Sequence, residues 1–80
     1  MPIEGDSRDP GTWYVAMLTA IVGLQRRDHT PVVEYLRFVE QHRGRAVAED
    51  ARAHLKVLAG TRAYADAAEQ LAALNTPIAR

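Results

Sequence analysis

The sequence predicts an all-α protein, a compact bundle or array of four short helices joined by tight turns. Three observations carry this. Proline and glycine punctuate the chain at intervals of one short helix, at Pro10, Pro31, Gly44, Gly60 and Pro77. Between those marks apolar residues recur at helical spacing. No stretch combines strict two-residue alternation with β-branched enrichment, so strands are not expected.

The first helix opens at Asp9-Pro10-Gly11-Thr12. Asp9 can cap, and Pro10 suits the first turn, where its missing N–H has no helical partner to lose. This helix is expected to reach about Arg27. Its body, Trp13 to Leu24, has no polar face. Trp13, Tyr14, Val15, Met17, Leu18, Ile21, Val22 and Leu24 spread over more than half of its circumference. The remaining arc holds only the small residues Ala16, Thr19, Ala20 and Gly23. A helix that is apolar all round must be covered, by its own chain or by a partner. Two arrangements therefore stand open. In one, the first helix is central and the other three wrap it. In the other, one of its arcs is an interface for a partner or a second copy.

The second helix begins with Thr30-Pro31, read as a cap followed by proline, and ends at Gly44, expected as a left-handed C′ residue. It places Val32, Tyr35, Leu36, Phe38 and Val39 on one side, with Glu34, Arg37, Glu40 and Gln41 opposite. The third helix opens at Arg45 or Ala46, with Glu49 and Asp50 expected in its first turn, where carboxylates favour the helix dipole. Its buried face is predicted to be Val47, Ala48, Ala51, Leu55 and Leu58. Gly60-Thr61 should close that helix and cap the fourth, with Gly60 left-handed as well. The fourth helix should bury Tyr64, Ala67, Ala68, Leu71 and Leu74 and fade at Asn75, since Pro77 forbids continuation.

The domain plan that follows is a flexible lead over residues 1–9, one four-helix domain over 10–76 and a short tail over 77–80. An 80-residue chain buries only ~60–65% of its surface on folding, and its core supplies roughly 3–5 kcal/mol of net stability. It contains no cysteine, so neither a disulfide nor a thiolate metal site can add to that. The apolar run from Trp13 to Leu24 is too short to span a bilayer, which takes roughly 20 residues. Glu4, Asp6 and Asp9 precede it against a single Arg8, the wrong charge for a secretory signal. The expectation is a cytoplasmic protein with no membrane contact.

Candidate sites for chemistry are weak. His29, His42 and His54 match no zinc spacing, and neither His42 nor His54 has a carboxylate three residues before it, as a di-iron bundle requires. His42 is expected on the apolar flank of the second helix and His54 at the border of the buried arc of the third. His29 beside Asp28 reads as a turn, and Ser7 lies in the lead, where no triad geometry can be held. No catalytic residue, cofactor or metal is expected, and the chain is not read as an enzyme.

Net charge is zero, with 10 Lys and Arg against 10 Asp and Glu, which removes any global pull toward nucleic acid or anionic lipid. Locally, Arg26 to Lys56 holds seven basic and five acidic residues. Arg43, Arg45 and Arg52 around the turn between the second and third helices could touch phosphate, but Glu40, Glu49 and Asp50 stand among them at pairing distance. A helix-turn-helix would want polar base-reading residues at the start of its recognition helix, whereas here Glu49 and Asp50 would face phosphates.

The stretch Tyr64-Ala65-Asp66-Ala67-Ala68, with Pro77 beyond it, resembles the second helix of a tetratricopeptide repeat over about fifteen residues. The matching first helix would need an aromatic followed by Leu-Gly, and Ala51, His54 and Leu55 do not supply it. The likeness is therefore one of helical-hairpin geometry. The leading expectation is a small protein–protein interaction module, an adaptor, regulatory or assembly subunit. It would bind a protein partner or form a homodimer through Trp13, Ala16, Met17, Thr19, Ala20 and Gly23. The alternative is a nucleic-acid-associated regulator using Arg43, Arg45 and Arg52.

Overall fold

The computed structural model describes residues 8–75, so Ser7, most of the expected lead, and Pro77 with the tail lie outside the described residues. Four α-helices follow one another: α1 over Pro10–Gln25, α2 over Thr30–Arg43, α3 over Arg45–Ala59 and α4 over Ala67–Asn75. A single 3₁₀ turn, Arg62–Tyr64, precedes α4. Among the described residues there is no strand, and the all-α class is the one the sequence predicts.

Asp9 caps α1 as expected: it is extended, and its carboxylate accepts a hydrogen bond from the Gly11 N–H at 2.9 Å. The other end differs from expectation. α1 stops at Gln25, and Arg27, which is not a glycine, takes positive φ at 58°. The Asp28 N–H donates to the Gly23 carbonyl at 2.8 Å, and the Arg27 N–H donates to the Leu24 carbonyl at 3.3 Å. This pair of backward bonds is a Schellman motif, which satisfies the last carbonyls of the helix. It also turns the chain directly into α2.

Four further helix ends correct the sequence reading. Thr30 does not cap α2. It lies inside the first turn and its N–H donates to the Asp28 carboxylate at 3.1 Å. Glu49 and Asp50 are not in the first turn of α3, which carries no acid. Gly60 is in the right-handed helical region (φ −93°, ψ −3°), and the Thr61 hydroxyl turns back to the Leu58 carbonyl at 2.8 Å. That residue thus finishes α3 and does not start α4, so the chain needs the 3₁₀ turn before helix resumes. Gly44 does require glycine, but with φ 92° and ψ 166° it is extended with positive φ, not left-handed helical. It separates α2 from α3 by one residue.

Of the two arrangements left open for the apolar first helix, the fold takes the central one. α1 packs against α2, α3 and α4. Leu18, Ala20 and Ile21 are fully buried. α1 and α2 run antiparallel, since Trp13 stacks on Phe38 at one end of the pair and Gly23 abuts the Pro31 ring at the other. Between those ends Ala16 and Ala20 are buried, one helical turn apart, so small side chains lie along the α1–α2 seam.

The amphipathic faces of the other helices hold at their centres and fail at their edges. Val32, Leu36 and Val39 of α2, Ala48 and Leu55 of α3 and Ala67 of α4 are buried. Val47 and Leu74, assigned to buried faces by their spacing, are 42% and 51% exposed. Val47 lies near the start of α3 and Leu74 near the end of α4.

Candidate functional site

The expected interface residues of α1 divide between the interior and one groove. Ala16, Ala20 and Gly23 are buried against the chain's own helices. Thr19 is partly buried, with its hydroxyl donating to the Val15 carbonyl at 2.8 Å, a bond within the helix. The small arc thus serves close approach of α1 and α2 within one chain, and the expectation that it faces a partner is corrected accordingly. Trp13 is half-buried in a ring cluster, and Met17 lines a groove.

That groove is lined largely by apolar side chains. It lies where α3 passes α1 and α2, encloses about 270 Å3, and its walls come from Met17, Tyr35, Val47, Ala51, Leu55 and Leu58. Asp50 and His54, one turn apart on α3, add polar groups at its exposed edge. Leu55 forms the floor, being buried. Val47 forms an open wall. Burial pushes the Tyr35 phenol above its ordinary value of 10.0, and the positive charge of Arg43 opposes that rise only in part. The phenol therefore stays protonated at neutral pH and is no base there.

A second, larger depression of about 590 Å3 lies on the other flank of the α2–α3 pair. Arg37, Arg45 and Arg52 line it together with Glu40 and Glu49, over a floor that includes Leu36 and Ala48. Arg45 and Glu49 stand 4.0 Å apart in a solvent-exposed pair, which contributes little to stability. Arg43 is not with them. Its guanidinium lies 4.3 Å from the centre of the Trp13 ring, in a cation–π contact. The three arginines considered for nucleic-acid contact are thus split: Arg45 and Arg52 share one depression with acids, and Arg43 faces the opposite flank.

The ring cluster at the α1 start holds Trp13, Phe38 and His42. Trp13 and Phe38 have centroids 4.5 Å apart, and the His42 ring packs edge-on to Phe38 at 4.7 Å. His42 thus lies beside Phe38 as expected, though it remains exposed. His54 is also exposed, and His29 occupies the N-cap position of α2 without a side-chain cap bond. Among the described residues, no group of three His, Cys, Asp or Glu is placed to hold a metal ion. No helix among them is long and apolar enough to cross a membrane.

Sequence reasoning missed the groove because it assigned Tyr35, Val47 and Leu58 to a continuous core. A signal was present: the apolar arc of α3 runs from Ala48 round to Val47 and Leu58, wider than one neighbouring helix can cover. Comparison with protein-family models, with curated proteins and with solved structures finds no match, so the reading of function rests on the groove and its surroundings.

Proposed function

We propose that this chain is a small helical protein–protein interaction module that acts by binding. One observation carries the reading: an apolar groove bounded by three helices, open to solvent along Val47 and edged by Asp50 and His54. Apolar surface left in water costs ~25 cal/mol per Å2, so filling such a groove with apolar side chains is favourable without any covalent chemistry. Grooves between helices typically receive an amphipathic helix, with apolar anchors at spacings of three and four residues. α1 contributes through Met17, not through its small arc. The nucleic-acid alternative draws no support from the geometry, because Arg45 and Arg52 alternate with Glu40 and Glu49 while Arg43 is held on Trp13.

The test uses a photo-reactive residue at position 47 in the full chain, irradiated in lysate of the source organism and at high concentration of the pure protein. A discrete cross-linked product, lost when Met17→Glu fills the groove with charge while circular dichroism stays helical, is the expected result. Cross-linking that persists unchanged in that variant, or no discrete product under either condition, overturns the proposal.

A further inference from the structure

We infer that the 3₁₀ turn and α4, residues 62–75, form a strap that opens from the domain as one unit while α1, α2 and α3 stay folded. Its opening uncovers a stripe of the central helix. α2 and α3 pack on each other as well as on α1, whereas α4 packs extensively on α1 alone, and the 3₁₀ turn also touches α3. The inference does not rest on the groove, whose walls include neither Leu18 nor Ile21, the residues that the strap covers.

Two hydrogen bonds fix how the strap lies. The Gln25 side-chain amide donates to the Tyr64 carbonyl at 2.7 Å, and the Tyr14 hydroxyl donates to the Gln70 side-chain carbonyl at 3.5 Å, long for such a bond. The strap therefore runs antiparallel to α1. Tyr14, Leu18, Ile21 and Gln25 follow one another at spacings of four, three and four, which makes them one stripe along that helix. Leu18 and Ile21 are fully buried. Ala67, midway between Tyr64 and Gln70 in the chain, is fully buried in the same cluster.

What the strap buries is slight. Besides the Ala67 methyl, Tyr64, Ala68, Gln70 and Leu71 are partly buried, and every other residue of 62–74 is exposed. Apolar stabilisation scales with buried area, so α4 contributes less than α2 and α3, which bury Leu36 and Leu55. A helix of 9 residues has no stability of its own in water, where even ~12–15 residues are marginal, so α4 melts once it leaves α1. The Gln70 side-chain amide also donates to the Ala63 carbonyl at 3.2 Å, tying α4 to the 3₁₀ turn, and the two leave together. The hinge is Thr61, which is extended (φ −85°, ψ 154°). Before it, α3 closes its own end: the Gly60 N–H donates to the Val57 carbonyl, and the Thr61 N–H and hydroxyl donate to the Leu58 carbonyl. None of these bonds breaks when the strap opens, so opening is confined to one segment of the chain.

Native-state hydrogen exchange on the full chain tests this, read residue by residue in urea below the unfolding transition. The α4 amides from Gln70 to Ala73 are expected to share one opening with a small urea slope. That opening should be at least about tenfold more frequent than the one that exposes the amides of Ile21, Val39 and Leu55. Gln25→Ala, at an exposed position, removes one of the two bonds that cross to the strap. It should speed α4 exchange about two- to tenfold and leave that of α2 and α3 unchanged. Four results overturn the strap: α4 exchanging as slowly as the other helices, α4 amides without any protection, openings that share no urea slope from one α4 amide to the next, and a Gln25→Ala effect that is absent from α4 or spread evenly over all the helices.

Discussion

The carbonyl oxygen of Asp28 lies 2.7 Å from where a Cβ on Gly23 would stand. The same two residues are joined by the bond from the Asp28 N–H to the Gly23 carbonyl, so the chain leaving α1 folds back onto the helix it has just finished. The Pro31 ring closes over the same spot, 3.2 Å from that Cβ position. Gly23 is therefore the point on which the α1–α2 hairpin turns. Gly23→Ala should lower unfolding stability by about 1–3 kcal/mol, because a backbone oxygen cannot rotate away as a side chain can. Urea denaturation measures it, and an unchanged midpoint would refute the close approach.

The three turn positions separate by backbone conformation. Gly44, extended at positive φ, should not tolerate alanine, and Gly44→Ala is expected to cost about 1–3 kcal/mol although open space surrounds it. Gly60 is helical and its added Cβ would meet only ordinary contacts at 3.7 Å, so Gly60→Ala should be neutral or gain up to about 1 kcal/mol. Arg27→Gly should also stabilise, by roughly 0.5–1 kcal/mol, since it relieves a left-handed non-glycine residue. Thermal unfolding of the three variants must give the order Arg27→Gly and Gly60→Ala at or above wild type, with Gly44→Ala below it.

Ala20 is 0% exposed on the central helix. Ala20→Arg should therefore unfold the domain, since an uncompensated buried charge costs on the order of 3–5 kcal/mol, about the whole stability of a chain this small. A folded variant with altered assembly, visible by circular dichroism and light scattering, would instead return the small arc to the role of an interface.

Tyr35 makes stability depend on alkaline pH. Its phenol is pushed above 10.0 in the fold by burial, so the native state holds this proton more tightly than the unfolded chain does. The resulting stabilisation is fully present below pH 10.0 and is lost as pH rises through the higher native value. Tyr35→Phe should remove that part of the decline. Urea midpoints measured on both proteins from neutral to strongly alkaline pH check it, and parallel curves would show that Tyr35 is not the group responsible.

Much of the fold was legible in the chain because helix signals are local. The Asp9 carboxylate on the Gly11 N–H, the proline at the start of α1 and α2, the glycine between α2 and α3 and the repeat of apolar residues every three or four positions act within one or two turns. These are enough to specify four helices, their order and the centre of each buried face.

What the chain could not specify by itself is which surface covers which. The spacing of Ala16, Ala20 and Gly23 is the same whether they meet α2 or a partner, and only the position of Phe38 beside Trp13 and of Pro31 on Gly23 decides it. Arg43 is one residue from the turn in either reading, and the third dimension sends it to Trp13, away from Arg45 and Arg52. Val47 and Leu55 lie on one apolar arc of α3, and the direction in which α1 and α2 approach buries the second while leaving the first as the wall of a groove. Helix formation depends on neighbours three and four residues away, fixed by the sequence, whereas burial depends on residues far along the chain brought near only by packing.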